Sequence, residues 1–98
     1  MIFSNKLTSL LGKGPVYLKL DNLQPSGSFK IRGIGQTCLE AKRSGATTIV
    51  GSSGGNAGKA MAYAAKKLGL NAVLFIPIST PQMMIDKIKV VSVIILLL

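Results

Sequence analysis

The sequence predicts an α/β fold, a parallel sheet with flanking helices, and three observations carry that expectation. Short apolar or β-branched runs alternate with helical stretches of roughly one to two dozen residues, the pattern of strands joined by right-handed helical crossovers. Capping residues stand where those helices should start and stop. No internal repeat and no low-complexity linker interrupts the alternation.

Val16 to Leu20 (VYLKL) carries β-branched and aromatic residues and is closed by Asp21-Asn22, with Pro25 and Gly27 following, so it reads as a strand entering a turn over residues 23 to 28. From Phe29 to about Arg43, Ile31, Ile34, Cys38 and Leu39 recur at helical spacing, Ser28 is placed to cap the start, and Gly45 the end. Gly33 and Gly35 weaken this helix by about 1 kcal/mol each relative to alanine, so close approach of another backbone or of a ligand is expected there. Thr47 to Val50 is a second strand, Gly51 to Gly55 a loop, and Asn56 to Leu68 a helix with Ala57, Ala60, Met61, Ala64, Ala65 and Leu68 on one face, ended by Gly69. Ala72 to Ile76 is a third strand, and Thr80-Pro81 opens a last helix, proline being tolerated at a first helical position. Val90 to Leu98 (VVSVIILLL) reads as a buried parallel strand, giving the order β-α-β-α-β-α-β. That run is also less than half of the about 20 apolar residues that a spanning helix needs, so no membrane segment is expected.

Composition narrows the function classes. At 98 residues and 48% hydrophobic content, one domain is the ceiling, near the lower edge of what buries a self-sufficient core. Twelve Lys and Arg against three acids give a formal charge of +9, which favours anionic partners at long range. The cations are dispersed, however, apart from Lys42-Arg43 and Lys66-Lys67, and few aromatics are available to stack on bases; nucleic acid is not the expected partner. With no histidine and the single cysteine Cys38, the sequence offers no zinc site, no His-based triad and no internal disulfide. A reducing compartment is expected. Met1 to Leu10 lacks the features of a secretory signal, so cytoplasmic localisation is the default expectation.

Two segments could carry chemistry. The loop Gly51-Ser52-Ser53-Gly54-Gly55-Asn56-Ala57-Gly58 leaves a strand and opens a helix, which gathers free backbone N–H groups around a point suited to an anion. It is not a P-loop, because Gly58-Lys59 is followed by Ala60, and no acidic residue lies about 20 positions on to hold a dinucleotide ribose. A glycine-rich turn that binds nothing is the alternative reading of the same residues. In the second segment, Gln24 to Gly33 (QPSGSFKIRG), Lys30 stands in the first turn of a helix beside Phe29. The positive end of the helix dipole disfavours a cation there and favours the neutral amine that a Schiff-base lysine needs. From position alone, an ordinary solvated lysine is the better reading.

Taken together, LQPSGSFKIRGIG (Leu23 to Gly35) and SSGGNAG (Ser52 to Gly58) resemble the paired signature of fold-type-II pyridoxal-phosphate (PLP) enzymes of the tryptophan synthase β-like fold. Within them the chain is most similar to the serine/threonine dehydratase family. Gly55-Asn56-Ala57 points to the serine dehydratase branch, where serine racemases and biosynthetic threonine dehydratases usually carry Gly-Asn-His. The likeness covers roughly Ser4 to about Lys87, with VYLKLDN and AYAAKKLGL adding to it.

The resemblance implies that Lys30 holds PLP as a Schiff base and removes the α-proton of the substrate. It implies that Phe29 packs against the pyridine ring and that Asn56 hydrogen-bonds the ring's phenolic oxygen. Ser53, Gly54, Asn56 and Ala57 would hold the carboxylate of an amino-acid substrate, and no metal is implied. The reaction would be β-elimination from L-serine or L-threonine, giving pyruvate or 2-oxobutanoate plus ammonia in amino-acid catabolism. A homodimer is expected of the full-length family.

The chain also departs from the pattern. The family's later glycine-rich phosphate loop and its Ser or Cys at the pyridine nitrogen have no counterpart. Met1-Ile2-Phe3 replaces a Thr-Pro-Leu stretch, and VVSVIILLL replaces a polar one. Residues 1 to 98 are therefore read as a single incomplete α/β region, with 90 to 98 as a candidate non-homologous tail. A truncated product, a splice variant or a faulty gene model would each account for it. Little dehydratase activity is expected of the chain alone, and a non-catalytic fragment that binds a full-length dehydratase subunit is the alternative.

Overall fold

The computed structural model describes residues 1–89 and 93–98. Its central sheet has the order β3-β4-β5, in which Thr48–Ser52 (β3), Asn71–Ile76 (β4) and Ile94–Leu97 (β5) all run parallel. The register runs from Thr48 opposite Asn71 to Ser52 opposite Phe75, and from Val73 opposite Ile94 to Ile76 opposite Leu97. Strand β4 is central, and its alternate residues Ala72, Leu74 and Ile76 are buried, as a period of two on a half-covered sheet requires.

Helices α2 (Lys30–Arg43), α3 (Asn56–Leu68) and α4 (Gln82–Lys89) lead into the three strands. The α3 face buries Gly58, Ala60, Met61, Ala62, Ala64 and Ala65, mostly small side chains that let α2 lie close against it. Cys38 of α2 joins Met61, Leu74, Ile76 and Ile88 in one core, with Ile31 and Ile34 packed at its margin. Both α2 and α3 end on glycine as expected. At α2, Gly45 has φ +93, and Gly45 and Ala46 donate back to the carbonyls of Lys42 and Ala41. Gly69 and Leu70 repeat the arrangement on Lys66 and Ala65, so each terminus satisfies its free carbonyls internally. Lys42 Nζ adds a hydrogen bond to the Leu68 carbonyl and joins the two C-terminal ends.

At the start of α2, the Lys30 N–H donates to Ser28 Oγ at 3.4 Å, and the helix begins one residue later than the spacing suggests. Pro81 lies immediately before α4, where its carbonyl accepts from Met84 and Ile85.

Two strand expectations need correction. The run Val16 to Leu20 narrows to Tyr17–Leu18 (β2) and pairs antiparallel with Ile2–Phe3 (β1), outside the parallel sheet. The segment before it takes up its backbone groups. Ser4 N–H donates to the Val16 carbonyl at 2.8 Å, and Val16 N–H donates to Thr8 Oγ1 at 2.9 Å. Between these strands runs α1 (Asn5–Leu11), capped by Ser4 Oγ at its start and by left-handed Gly12 at its end. The C-terminal strand is parallel as expected, but it is not buried. Lying at the sheet edge, β5 leaves Ile94, Leu96 and Leu97 exposed, and only Ile95 with the preceding Val93 packs against the core. Val90, Val91 and Ser92 of that predicted strand lie outside the described residues. No helix among the described residues is long and apolar enough to cross a membrane.

Candidate functional site

In a parallel sheet, the loops that leave the C-terminal ends of neighbouring strands face a common crevice. Here those loops are residues 53–55 after β3 and 77–81 after β4. The first is shaped by its own atoms: Ser53 Oγ accepts from the Gly55 N–H at 3.1 Å, folding the loop across the start of α3. No side chain among the described residues caps that start, and Lys59 is the first whose N–H reaches back, at 3.1 Å, to the Gly55 carbonyl. The N–H groups of Asn56, Ala57 and Gly58 therefore stand at an open helix N-terminus, where the dipole adds about 0.3 to 1 kcal/mol for an anion.

Glycine is required at Gly58 for a steric reason. A Cβ there would lie 2.1 Å from the Ser53 carbonyl oxygen, so the loop rests directly on the first turn of α3. At Gly51 a Cβ would meet Met61 Cε, the far end of a flexible side chain, at 2.0 Å. At Gly54 it would meet Thr80 Oγ1 at 2.7 Å and Cγ2 at 2.8 Å, which places the β4–α4 loop against the β3–α3 loop.

Lys30, the first residue of α2, is exposed, and its Nζ lies 5.1 Å from the centroid of the Phe29 ring. Among the described residues, its amine has no hydrogen-bond acceptor and no ion pair, which leaves it available to a ligand. The turn before it is held from both sides. Arg32 Nε reaches Asp21 Oδ1 at 3.1 Å and Gln24 Nε2 reaches the same oxygen at 3.2 Å. The Gln24 hydrogen bond, followed by that of Arg32, lowers the Asp21 carboxyl pKa below its ordinary value. Ser26 and Ser28 are buried in this turn, and Ser26 Oγ has no partner among the described residues.

A depression of about 470 Å³ is walled by Phe29, Lys30, Arg32, Gly33, Ile34 and Thr37. A second, of about 230 Å³, lies between α2, β3 and α3; Ser53 and Ala57 line it, with Cys38 and Met61 deeper. Ile34 and Thr37 belong to both, so one face of α2 runs from the lysine to the loop. Of the residues singled out from sequence, Phe29 and Lys30 thus line the first depression, while Ser53 and Ala57 line the second. Gly54 and Asn56 line neither depression. Gly33 and Gly35 are not approached by another backbone: a Cβ on Gly33 would meet nothing within 4 Å, and one on Gly35 only Ile31 of its own helix. Gly33 instead widens the depression beside Lys30.

Sequence reasoning missed Ile34, Thr37 and Thr80 as parts of this region. Thr80 follows the strand that pairs with the one feeding the glycine loop, a pairing that only the structure gives. Cys38 faces the core, where burial raises the thiol pKa, so it is a packing residue and not a nucleophile. Among the described residues, no group of His, Cys, Asp and Glu could hold a metal ion.

The donor set fits an aldehyde cofactor with an aromatic ring. It supplies an amine with no partner among the described residues, an adjacent aromatic face and a depression lined by Gly33.

Comparison with known proteins points the same way. The chain is 53% identical over 75 residues to human serine dehydratase-like and 53% identical over 74 residues to human L-serine dehydratase/L-threonine deaminase; each match covers 76% of this chain and 23% of the relative. It superposes on the crystal structure of a fungal L-serine ammonia-lyase from Rhizomucor miehei with a TM-score of 0.83 and 34% identity, covering 98% of this chain and 31% of that one. The chain therefore spans about a quarter of the length of the curated relatives it matches. The family model for pyridoxal-phosphate dependent enzymes matches residues 1–95, and with these likenesses it shows that the chain belongs to that family, as a homologue of its serine dehydratases.

Proposed function

We propose that this chain carries the lysine and the carboxylate-binding loop of a PLP-dependent L-serine/L-threonine ammonia-lyase. The observation that carries this reading is the continuous face of α2 that joins Lys30 to Ser53 and Ala57 through Ile34 and Thr37.

Bound PLP supplies an electron sink for the charge left at the substrate α-carbon. Lys30 Nζ would hold the cofactor and would remove the α-proton of the substrate. Phe29 would pack on the ring, and Asn56 would hydrogen-bond the ring oxygen. Ser53, Gly54, Asn56 and Ala57 hold the substrate carboxylate at the open start of α3, which fixes the α-carbon relative to the amine. Hydroxide leaves the β-carbon with a proton as water, and hydrolysis of the resulting enamine consumes one water. Serine is thereby converted to pyruvate and ammonia, or threonine to 2-oxobutanoate and ammonia. Residues 1 to 98 are one incomplete α/β region of such an enzyme.

Borohydride reduction of the chain mixed with PLP, followed by peptide mapping, tests the assignment. The expected adduct lies on Lys30 in preference to the other lysines and is lost in Lys30→Ala. Uniform labelling of surface lysines, or none, would sink the reading. The exposed apolar edge of β5 favours a second one, a fragment that pairs with a full-length dehydratase subunit; co-purification with such a subunit would support it.

A further inference from the structure

We propose that Thr80 is a further carboxylate-binding residue, its hydroxyl donating to the same substrate carboxylate that the loop after β3 holds. The inference rests on the reading of that loop given above.

Three observations support it. Thr80 Oγ1 lies 2.7 Å, and its Cβ 3.3 Å, from where a Cβ on Gly54 would stand, so this side chain is the nearest neighbour of the loop's middle residue. The two loops leave adjacent parallel strands at the same edge, since Ser52 stands opposite Phe75 and each loop begins at or just beyond that pair. Finally, the hydroxyl is uncommitted. Thr80 is partly exposed and stands one residue before Pro81, whose carbonyl starts α4, so its side chain lies outside the capping position of that helix. Here its Oγ1 makes no hydrogen bond among the described residues, and the carbonyl of Pro81 serves the first turn of α4 instead.

The open N–H groups of Asn56, Ala57 and Gly58 come from one side of the crevice. A carboxylate has two oxygens, each able to accept more than one hydrogen bond, so two loops facing one crevice can both contribute donors. A hydroxyl from the opposite loop supplies a donor there without adding charge. It also accounts for glycine at position 54, because a side chain at that point would push Thr80 away from the loop.

The test uses the 98-residue chain without cofactor, labelled for amide NMR, and titrates L-serine at constant ionic strength. Serinol, which lacks the carboxylate, is the control. In the wild type, L-serine and not serinol should shift the amides of Gly54, Gly55, Asn56 and Ala57. Thr80→Val, which keeps the shape and removes the donor, should weaken the L-serine affinity about tenfold, the usual effect of losing a hydrogen bond to a charged group. Thr80→Ser, which restores the donor, should return it near the wild-type value while a packing role would not. Wild-type binding that Thr80→Val leaves unchanged would overturn the role of Thr80 and spare the loop. Absence of L-serine shifts at the loop in the wild type would overturn the loop reading and the proposal with it. Should Thr80→Val fail to fold, Thr80→Ser and Thr80→Ala decide the matter by the same comparison.

Discussion

The N-terminal unit β1-α1-β2 and the parallel unit from α2 to β4 solve the problem of holding shape in different ways. In the parallel unit, Cys38, Met61, Leu74 and Ile76 are removed from water together, and every candidate site residue is mounted on that core or on loops leaving it. The N-terminal unit has no buried residue in α1 and leaves Ile2, Phe3, Leu10, Leu11 and Tyr17 exposed. Backbone bonds and caps hold it, supported by the tilted contact of Phe3 with Tyr17 at 5.6 Å between ring centroids. Local hydrogen bonding is thus enough to give a segment its form, while burial decides which segment can fix a site.

The sharpest way to break this contrast is Leu74→Ala. Leu74 is fully buried at the centre of the sheet, so its truncation should cost about 3 kcal/mol and shift the whole parallel unit in a urea titration followed by circular dichroism. A loss below about 1 kcal/mol would show that this core is not the organising one. Phe3→Ala should cost less, about 0.5 to 1 kcal/mol, with faster amide exchange confined to residues 2–18. Exchange that accelerates equally in α3 would mean that the two units are one cooperative body.

The smallest effect concerns the Asp21 tie between them. Its carboxyl pKa is lowered in the folded chain, so its contribution is fully present above the ordinary carboxylate value and is lost as the pH falls through the lower, folded value. The turn over residues 19–28 should therefore loosen only in acid, below the usual carboxylate range. Amide shifts of Arg32 and Gln24 should report it, and Asp21→Asn should abolish the pH dependence.

How much of this was readable beforehand follows the same division. Helices α2 and α3 were legible because their apolar spacing, Gly45 and Gly69 all mark the same boundaries. Strand β4 was legible because Ala72 to Ile76 is a short continuous apolar run, although its alternating burial shows only in the structure. The unit β1-α1-β2 was not, since it buries too little to show a periodicity and its signals are single residues, Ser4 and Gly12. For VVSVIILLL, the apolar run indicates a strand but not whether a further strand covers it, and here β5 is at the edge. Lys30 and the Ser53 to Ala57 loop were found through motif, whereas Thr80 depends on which strands are neighbours. Local spacing does not carry that information.

The bond from Lys42 to the end of α3 has one more consequence. It fastens two helices of 14 and 13 residues at one end while Lys30 and Asn56 stand at the other, like the pivot and jaws of tongs. Over an arm of about 20 Å, a tilt of roughly 3° moves the jaw by about 1 Å. Displacements of that size decide reactivity between positioned groups. Lys42 thus adds a tie between the two helices at the end away from Lys30 and Asn56, and touches neither residue.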